Sequence, residues 1–418
     1  MTLRARAGKM RSHETFSRAP SPCRLMTASQ RFHTAMTRGV PDRVPVAPKI
    51  YLDLAARLTD RDLRAMVDDP LDALWAVVEA GRLCRADAVR QFHVPRRRTS
   101  VVDGQLVEMD RYGSVLGRID LAGGLITRLE DPSRFNLADE HYVAFNHYWS
   151  CPHPFIADQT DVDRMVVPER RFYENYGCGE RQGTVMERLA AEGGEELALI
   201  GDCDTATMAF LVTMRGMERA MFDLLENPTL VHAIMDKGVR IAAERGFFNI
   251  DRGLRVLRIN DSVGNMSVIS PEHWREFVFP HLKDLCTELH RHDPAVTLYC
   301  HICGNVLPIL EDLVEAGLDC IAPLDPLGGV SPGAVRKRVG DAVSLMGGVN
   351  TLSFIDSTPA GIIEESRRCI KEGGERGGFV LGSGCVVPRD AARENVEALY
   401  RASVVYGRYH RGRLQREE

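Results

Sequence analysis

From Arg43 onward the sequence alternates short apolar runs with longer helical patterns, and this alternation narrows the folds open to it. The candidate strands are Val44–Ile50, Ala88–Val94, Leu197–Gly201, Leu254–Asn260, Val296–His301, Asp319–Pro323, Val343–Gly347 and Phe379–Leu381. Most are rich in Val, Ile or Leu and lack the polar alternation of a strand with one face in water. That is the pattern of parallel strands buried on both faces. Ala88–Val94 departs from it, with Arg90 and Gln91 inside the run. Strand and helix repeated this often predict an α/β protein with a parallel sheet, and eight strands suit a closed (β/α)8 TIM barrel. A doubly wound open sheet is the alternative. Its dinucleotide-binding form requires G-x-G-x-x-G after an early strand, and no early strand here is followed by one.

The connections carry helix signals. Ser270-Pro271 offers an N-cap with proline at the first helical position, followed by Trp274, Phe277, Val278, Leu282, Leu285 and Leu289 at helical spacing. Pro280 is expected to kink that helix. Gly317 is a natural stop after the stripe Leu307, Leu310, Leu313 and Val314, and Thr358-Pro359 opens a further helix. The interval from about 103 to 181 is the least regular. It holds a hairpin pattern, Gln105–Leu121, then aromatic and proline-bearing loop sequence, and reads as an insertion near the barrel mouth, a lid.

The first 25 residues carry Arg4, Arg6, Lys9, Arg11, Arg18 and Arg24 against Glu14 and show no apolar period. Such a stretch is a transit peptide or, the preferred reading, a disordered extension or an upstream start, with Met26 as the alternative start. Residues 1–28 are accordingly set apart and 29–418 taken as a single barrel domain. A net charge of −5 gives no electrostatic case for nucleic acid or an anionic membrane, and no apolar run is long enough to span a bilayer. Eleven cysteines at irregular spacing in a chain of 418 residues do not form a secreted disulfide framework. They point to a reducing compartment, the cytoplasm, with most cysteines, Cys203 and Cys300 among them, acting as small core residues.

A few cysteines stand where ligands would. The segment Thr297–Asn305 ends the fifth strand, and residues two apart on an extended strand project to one side. His301 and Cys303 therefore point one way and Cys300 and Ile302 the other. The eighth strand ends in Gly382-Ser-Gly-Cys385, where glycine lets the backbone bend and approach a bound group closely. Both ends belong to the face on which barrel active sites are built. One His and two Cys form a three-ligand zinc set with an open fourth position, the arrangement of a catalytic site. Spacing alone leaves a second reading open, that all three are satisfied core residues.

His301-Ile-Cys303-Gly-Asn305 followed by Gly382-Ser-Gly-Cys385 resembles the zinc motif of cobamide-dependent methyltransferases in the uroporphyrinogen decarboxylase superfamily. Gly39-Val-Pro-Asp-Arg43-Val-Pro45 resembles that superfamily's opening strand, Asp261 with Ile269-Ser-Pro-Glu272 its fourth-strand segment, and Gly347-Gly-Val-Asn350 with Glu394-Asn395 its closing third. The resemblance implies a zinc ion on His301, Cys303 and Cys385, with Asp261 as a catalytic, substrate-holding or fourth-ligand residue. It also implies methyl transfer between a small methylated compound or thiol and a corrinoid (cobalamin). The chain has no D-x-H-x-x-G cobalamin signature, so the corrinoid would come on a separate partner protein. A homodimer is the implied assembly. True uroporphyrinogen decarboxylases carry an R-Q-A-G-R stretch after the opening strand, where this chain reads Pro48-Lys-Ile-Tyr-Leu-Asp53 and offers a poly-carboxylate little to pair with. A metal-free decarboxylase or lyase is the alternative, and a zinc hydrolase with Asp261 or Asp202 as general base a third reading. Asp204 and Asp325 are further candidates at strand ends, His141, His147 and His153 candidates in the lid, and His290 and His292 helix-end residues.

Overall fold

The computed structural model describes residues 25–90, 97–110, 112–121, 125–175, 191 and 197–415. Chain order and strand order coincide around a closed parallel barrel. The opening segment, 44–50, is extended but irregular, because Pro45 and Pro48 have no N–H to give to a ladder. It is nonetheless tied on both sides. Ala47 N–H donates to Leu381 O at 2.8 Å and Leu381 N–H to Pro45 O at 2.9 Å, while on the other side Asp87 N–H donates to Val46 O at 2.7 Å. The second strand, β1 (Ala88–Val89), is short, and residues 91–94 of the expected run lie outside the described residues.

An antiparallel meander begins just ahead of the irregular interval and runs through it: β2 (Thr99–Val102), β3 (Gln105–Met109), β4 (Val115–Asp120) and β5 (Ile126–Arg128), with β6 (Trp149–Ser150) added parallel to β5. The hairpin pattern over Gln105–Leu121 is the β3–β4 pair. Residues 176–181 of the interval lie outside the described residues.

The third barrel strand comes in two pieces. β7 (Ala198–Leu199) pairs with β1, and β8 (Gly201–Thr205) pairs with β9 (Val256–Asn260). It runs four residues beyond the expected end at Gly201, so Asp202 and Asp204 lie within the strand rather than after it. The reason is pairing. Asp202 meets Arg258 of β9 at 2.6 Å and Asp204 meets Arg245 of the covering helix Pro228–Asp251 at 2.9 Å, so carboxylates are tolerated where hydropathy predicts a turn. The ring continues through β10 (Thr297–His301), β11 (Cys320–Leu324), β12 (Ser344–Val349) and β13 (Phe379–Ser383), all parallel, and returns to the opening segment.

The helix Ala28–Met36 closes the N-terminal end of the barrel: Phe32, Ala35 and Met36 pack on Ala47, Ala88, Ala198, Val256 and Val380. Thr27 and Gln30 form its capping box, and Arg31 bonds Met26 O, Asp42 and Asp87. The boundary drawn after residue 28 is therefore too late. Met26 and Thr27 belong to the folded unit, and the T-x-x-Q capping pattern was the sequence signal for it. The bend expected at Pro280 is taken up by a π-helical turn, Trp274–Val278, ahead of the helix Phe279–His292. Among the described residues no helix is long and apolar enough to cross a membrane.

Candidate metal centre

His301, the last residue of β10, is 1% exposed and points into the barrel mouth. Two residues on, Cys303 starts the loop that leaves the strand. Gly304 follows at φ +92°, and a Cβ there would lie 2.9 Å from the Asn265 side chain. From β13 the backbone passes through Gly384, where a Cβ would meet Pro326 Cδ at 2.7 Å, and delivers Cys385. The donor atoms of His301, Cys303 and Cys385 all lie within 4.8 Å of one another, with Cys385 Sγ 3.8 Å from His301 Nε2. The structure thus brings together three residues from two strand ends that are 84 positions apart at their widest. Cys300 and Ile302 face the other way, into an apolar space with Val306, Leu313, Leu318 and Ile321.

The electrostatics prepare these side chains as ligands. Burial, reinforced by the positive charges of Lys49, Arg90 and Arg258, holds the His301 imidazole well below its usual range and so keeps it neutral. Cys303 and Cys385 oppose each other's ionisation. The hydrogen bond to Cys385 and burial push the Cys303 thiol up, and the same bond lowers Cys385, helped by Lys49 and the Val386 N–H. One thiolate forms readily and the second calls for a cation. A neutral imidazole with two thiols is a donor set that zinc accepts. The other ring nitrogen of His301, Nδ1, is buried and has no hydrogen-bond partner among the described residues.

Reasoning from sequence missed the basic interior around these ligands. Lys49, 2% exposed, brings its Nζ to 3.0 Å from His301 Nε2 and to 5.1 Å from the Tyr51 ring centroid. Burial holds its amine well below the ordinary lysine range, Arg258 adds to this, and Cys385 opposes it. Arg90, 1% exposed, bonds Ser383 O at 3.3 Å while its Nε and Nη2 have no hydrogen-bond partner among the described residues. The signal was present: a charged residue interrupting a strand otherwise buried on both faces, at Lys49, Arg90 and Arg258 alike.

Asp261 donates its backbone N–H to His301 O at 3.2 Å, but its side chain turns away from the three donors. Its carboxylate accepts from Thr207 Oγ1 at 2.7 Å and from Ala209 N–H at 2.6 Å, capping the helix Met208–Arg215, and it is not among the three clustered donors. Burial raises its pKa to about 6. Asp325 is likewise taken up, accepting from Gly304 N–H at 2.9 Å and Leu327 N–H at 3.0 Å. The histidines of the irregular interval do not cluster: His141 is half-buried against Tyr142, Phe145 and Trp149, His147 meets Asp204 at 2.6 Å, and His153 is exposed. His290 and His292 pair with Asp319 and Asp251.

A closed parallel barrel with one imidazole and two thiols gathered at its mouth defines a barrel protein whose clustered donors are of the kind a soft metal accepts. The chain belongs to the uroporphyrinogen decarboxylase (URO-D) family, whose model matches residues 150–404. It is similar to a methylated-thiol–coenzyme M methyltransferase of Methanosarcina mazei, 26% identical over 47% of this chain and 51% of the relative. That match spans about half of the relative's length. The chain is also similar to a methylcobamide:CoM methyltransferase MtaA of Methanosarcina barkeri, 28% identical over 59% of this chain and 69% of the relative. A uroporphyrinogen decarboxylase of Paraburkholderia xenovorans is 24% identical over 82% of this chain and 93% of the relative. Among solved structures, a methyltransferase from Methanosarcina mazei has the same fold, with a TM-score of 0.65 and 17% identity over 91% of this chain and 98% of that one.

Proposed function

We propose that this chain is a zinc-dependent methyltransferase that moves a methyl group between a small methylated compound or a thiol and a corrinoid cofactor carried by a partner protein. The observation that carries the reading is the convergence of His301, Cys303 and Cys385 within 4.8 Å at the barrel mouth. His301 would hold the metal through Nε2, the nitrogen that faces Cys385. Zinc there would lower the pKa of a bound thiol or polarise the heteroatom of a methylated donor. The similarity to methylcobamide and methylated-thiol methyltransferases supports the corrinoid and its partner protein.

The rest of the work falls to the chain's own residues. Asp325 holds the loop that carries Cys303, and the glycines at 304 and 384 let the two ligand-bearing segments approach. Lys49 Nζ, buried beside the ligands, can take up the proton that an entering thiol releases. The ion pair of Arg258 with Asp202 holds a cation at the centre of the barrel without leaving its charge unbalanced. It also occupies the carboxylate that a hydrolytic base at Asp202 would need. Asp261 contributes from the helix end it caps, as a positioning group.

Metal analysis tests the reading. About one zinc per chain is expected, lost in Cys303→Ala or Cys385→Ala with the far-ultraviolet circular dichroism unchanged, and methyl exchange with free cobalamin should fall with it. A folded protein that binds no zinc and catalyses no such exchange would sink the idea. It would favour the second reading, a metal-free decarboxylase or lyase. The observation on that side is the buried guanidinium of Arg90, whose Nε and Nη2 have no hydrogen-bond partner among the described residues.

A further inference from the structure

We propose that the side-chain amine of Lys49 is the fourth donor of this metal centre, completing an N2S2 set with His301, Cys303 and Cys385 until a substrate takes its place. The inference rests on the metal reading above and goes beyond it by assigning the position that three protein ligands leave open.

Three observations converge on Lys49. The first is distance. With zinc–nitrogen bonds of about 2.0–2.1 Å and zinc–sulfur bonds of about 2.3 Å, donors at neighbouring corners of a tetrahedron stand roughly 3.3–3.8 Å apart. Lys49 Nζ is 3.0 Å from His301 Nε2, and Cys385 Sγ is 3.8 Å from the same nitrogen. Amine and thiol therefore both crowd the one ring atom that would carry the metal, at close to tetrahedral-edge separations.

The second is the lack of a counter-ion for the amine among the described residues. Lys49 is 2% exposed, and among the described residues no carboxylate pairs with it. A buried amine without a counter-ion is costly and is retained where it serves a site. The third is a shared support. Ser383 Oγ accepts from the backbone N–H of Lys49 at 3.0 Å and donates to the carbonyl of Cys385 at 2.5 Å, so one hydroxyl sets the backbone of both donors. Common positioning of this kind is what ligands of one metal require.

Ligation through nitrogen needs a lone pair, so the amine gives any proton it carries to bulk water as the N–metal bond forms. An entering thiol would replace the amine on the metal, and its proton would pass to the released Lys49 Nζ.

The test uses the full chain, stripped of metal and reloaded with Co2+ or Zn2+. Wild type with Co2+ should show thiolate-to-cobalt charge transfer in the near ultraviolet together with the strong visible bands of a four-coordinate ion. Lys49→Met should keep the charge transfer, change the visible bands, and bind zinc on the order of tenfold more weakly in chelator competition. Lys49→Arg keeps the positive charge but has no lone pair to offer, and the same losses are expected of it. It serves in place of Lys49→Met should that variant not fold. Visible bands and zinc affinity identical to wild type in a folded variant would overturn the assignment of Lys49 while leaving the three-ligand centre standing. Absence of charge transfer in wild type would overturn the metal reading and this inference with it.

Discussion

The carboxylate of Asp325, just past the end of β11, accepts the backbone N–H of Gly304 through one oxygen at 2.9 Å and that of Leu327 through the other at 3.0 Å. It thereby ties the residue after Cys303 to the neighbouring loop, so the position of one metal-ligand candidate depends on a side chain that follows the next barrel strand. Asp325→Ala leaves the Gly304 N–H without this partner and removes the cap of the short helix Pro326–Gly328. Zinc affinity measured by chelator competition should fall roughly 10- to 100-fold, as for other outer partners of metal ligands. The thermal midpoint should drop only modestly. An unchanged affinity would show that the Cys303 loop holds its shape unaided.

Gly328 packs directly on the same loop. A Cβ at this position would lie 2.1 Å from the carbonyl carbon of Gly304, a distance that backbone must move to relieve. Gly328→Ala should cost about 1–3 kcal/mol in denaturant unfolding and release bound zinc more readily. Gly329→Ala, beside it, has open space around its Cβ, although its φ of +75° adds backbone strain. Its effect should be confined to stability, leaving zinc affinity near wild type. The pair of variants separates displacement of the ligand loop from general loosening.

Asp261 makes stability depend on pH. Its pKa is raised by burial from 3.8 to about 6 in the folded protein. The contribution it makes is therefore complete below pH 4, where folded and unfolded chains are both protonated, and is lost as pH rises through about 6. The shift corresponds to about 3 kcal/mol across that window. Asp261→Asn cannot ionise, so its stability relative to wild type should improve by about that much between pH 4 and pH 7. Urea unfolding of both proteins across the range checks this, and parallel pH profiles would contradict it.

Cys385 should be the reactive thiol of the described set. Its thiolate is favoured by the hydrogen bond from Cys303 and by Lys49, whereas burial pushes up Cys84, Cys203, Cys286, Cys300, Cys320 and Cys369. Brief treatment of metal-free protein with iodoacetamide near neutral pH, read by peptide mass spectrometry, should label Cys385 ahead of those six. Zinc added first should protect it. Labelling that ignores zinc would separate Cys385 from the metal.

Much of this was legible in the chain itself. The alternation of buried strand patterns with capped helices predicts the barrel, because parallel strands covered on both faces have no reason to alternate in polarity. The two-residue spacing of His301 and Cys303, with Cys300 turned away, follows from the pleat of a strand. Less legible was anything that depends on a partner far off in sequence. Asp202 and Asp204 read as residues beyond a strand end, yet lie inside it because Arg258 and Arg245 neutralise them there. Arg90, which weakened the second strand as a pattern, is buried against Ser383 O of the last one.

What the sequence determined alone, then, is the repeating strand–helix plan and the faces to which His301, Cys303 and Cys385 belong. Both are properties of local periodicity. Only the tertiary structure decided that β10 and β13 bring those three donors within 4.8 Å, that Lys49 stands 3.0 Å from His301, and that Asp261 turns instead to the helix Met208–Arg215. The physical reason is barrel closure. It sets strand ends side by side whatever their separation in sequence, and a buried polar side chain then takes whichever partner the neighbouring strand or helix presents.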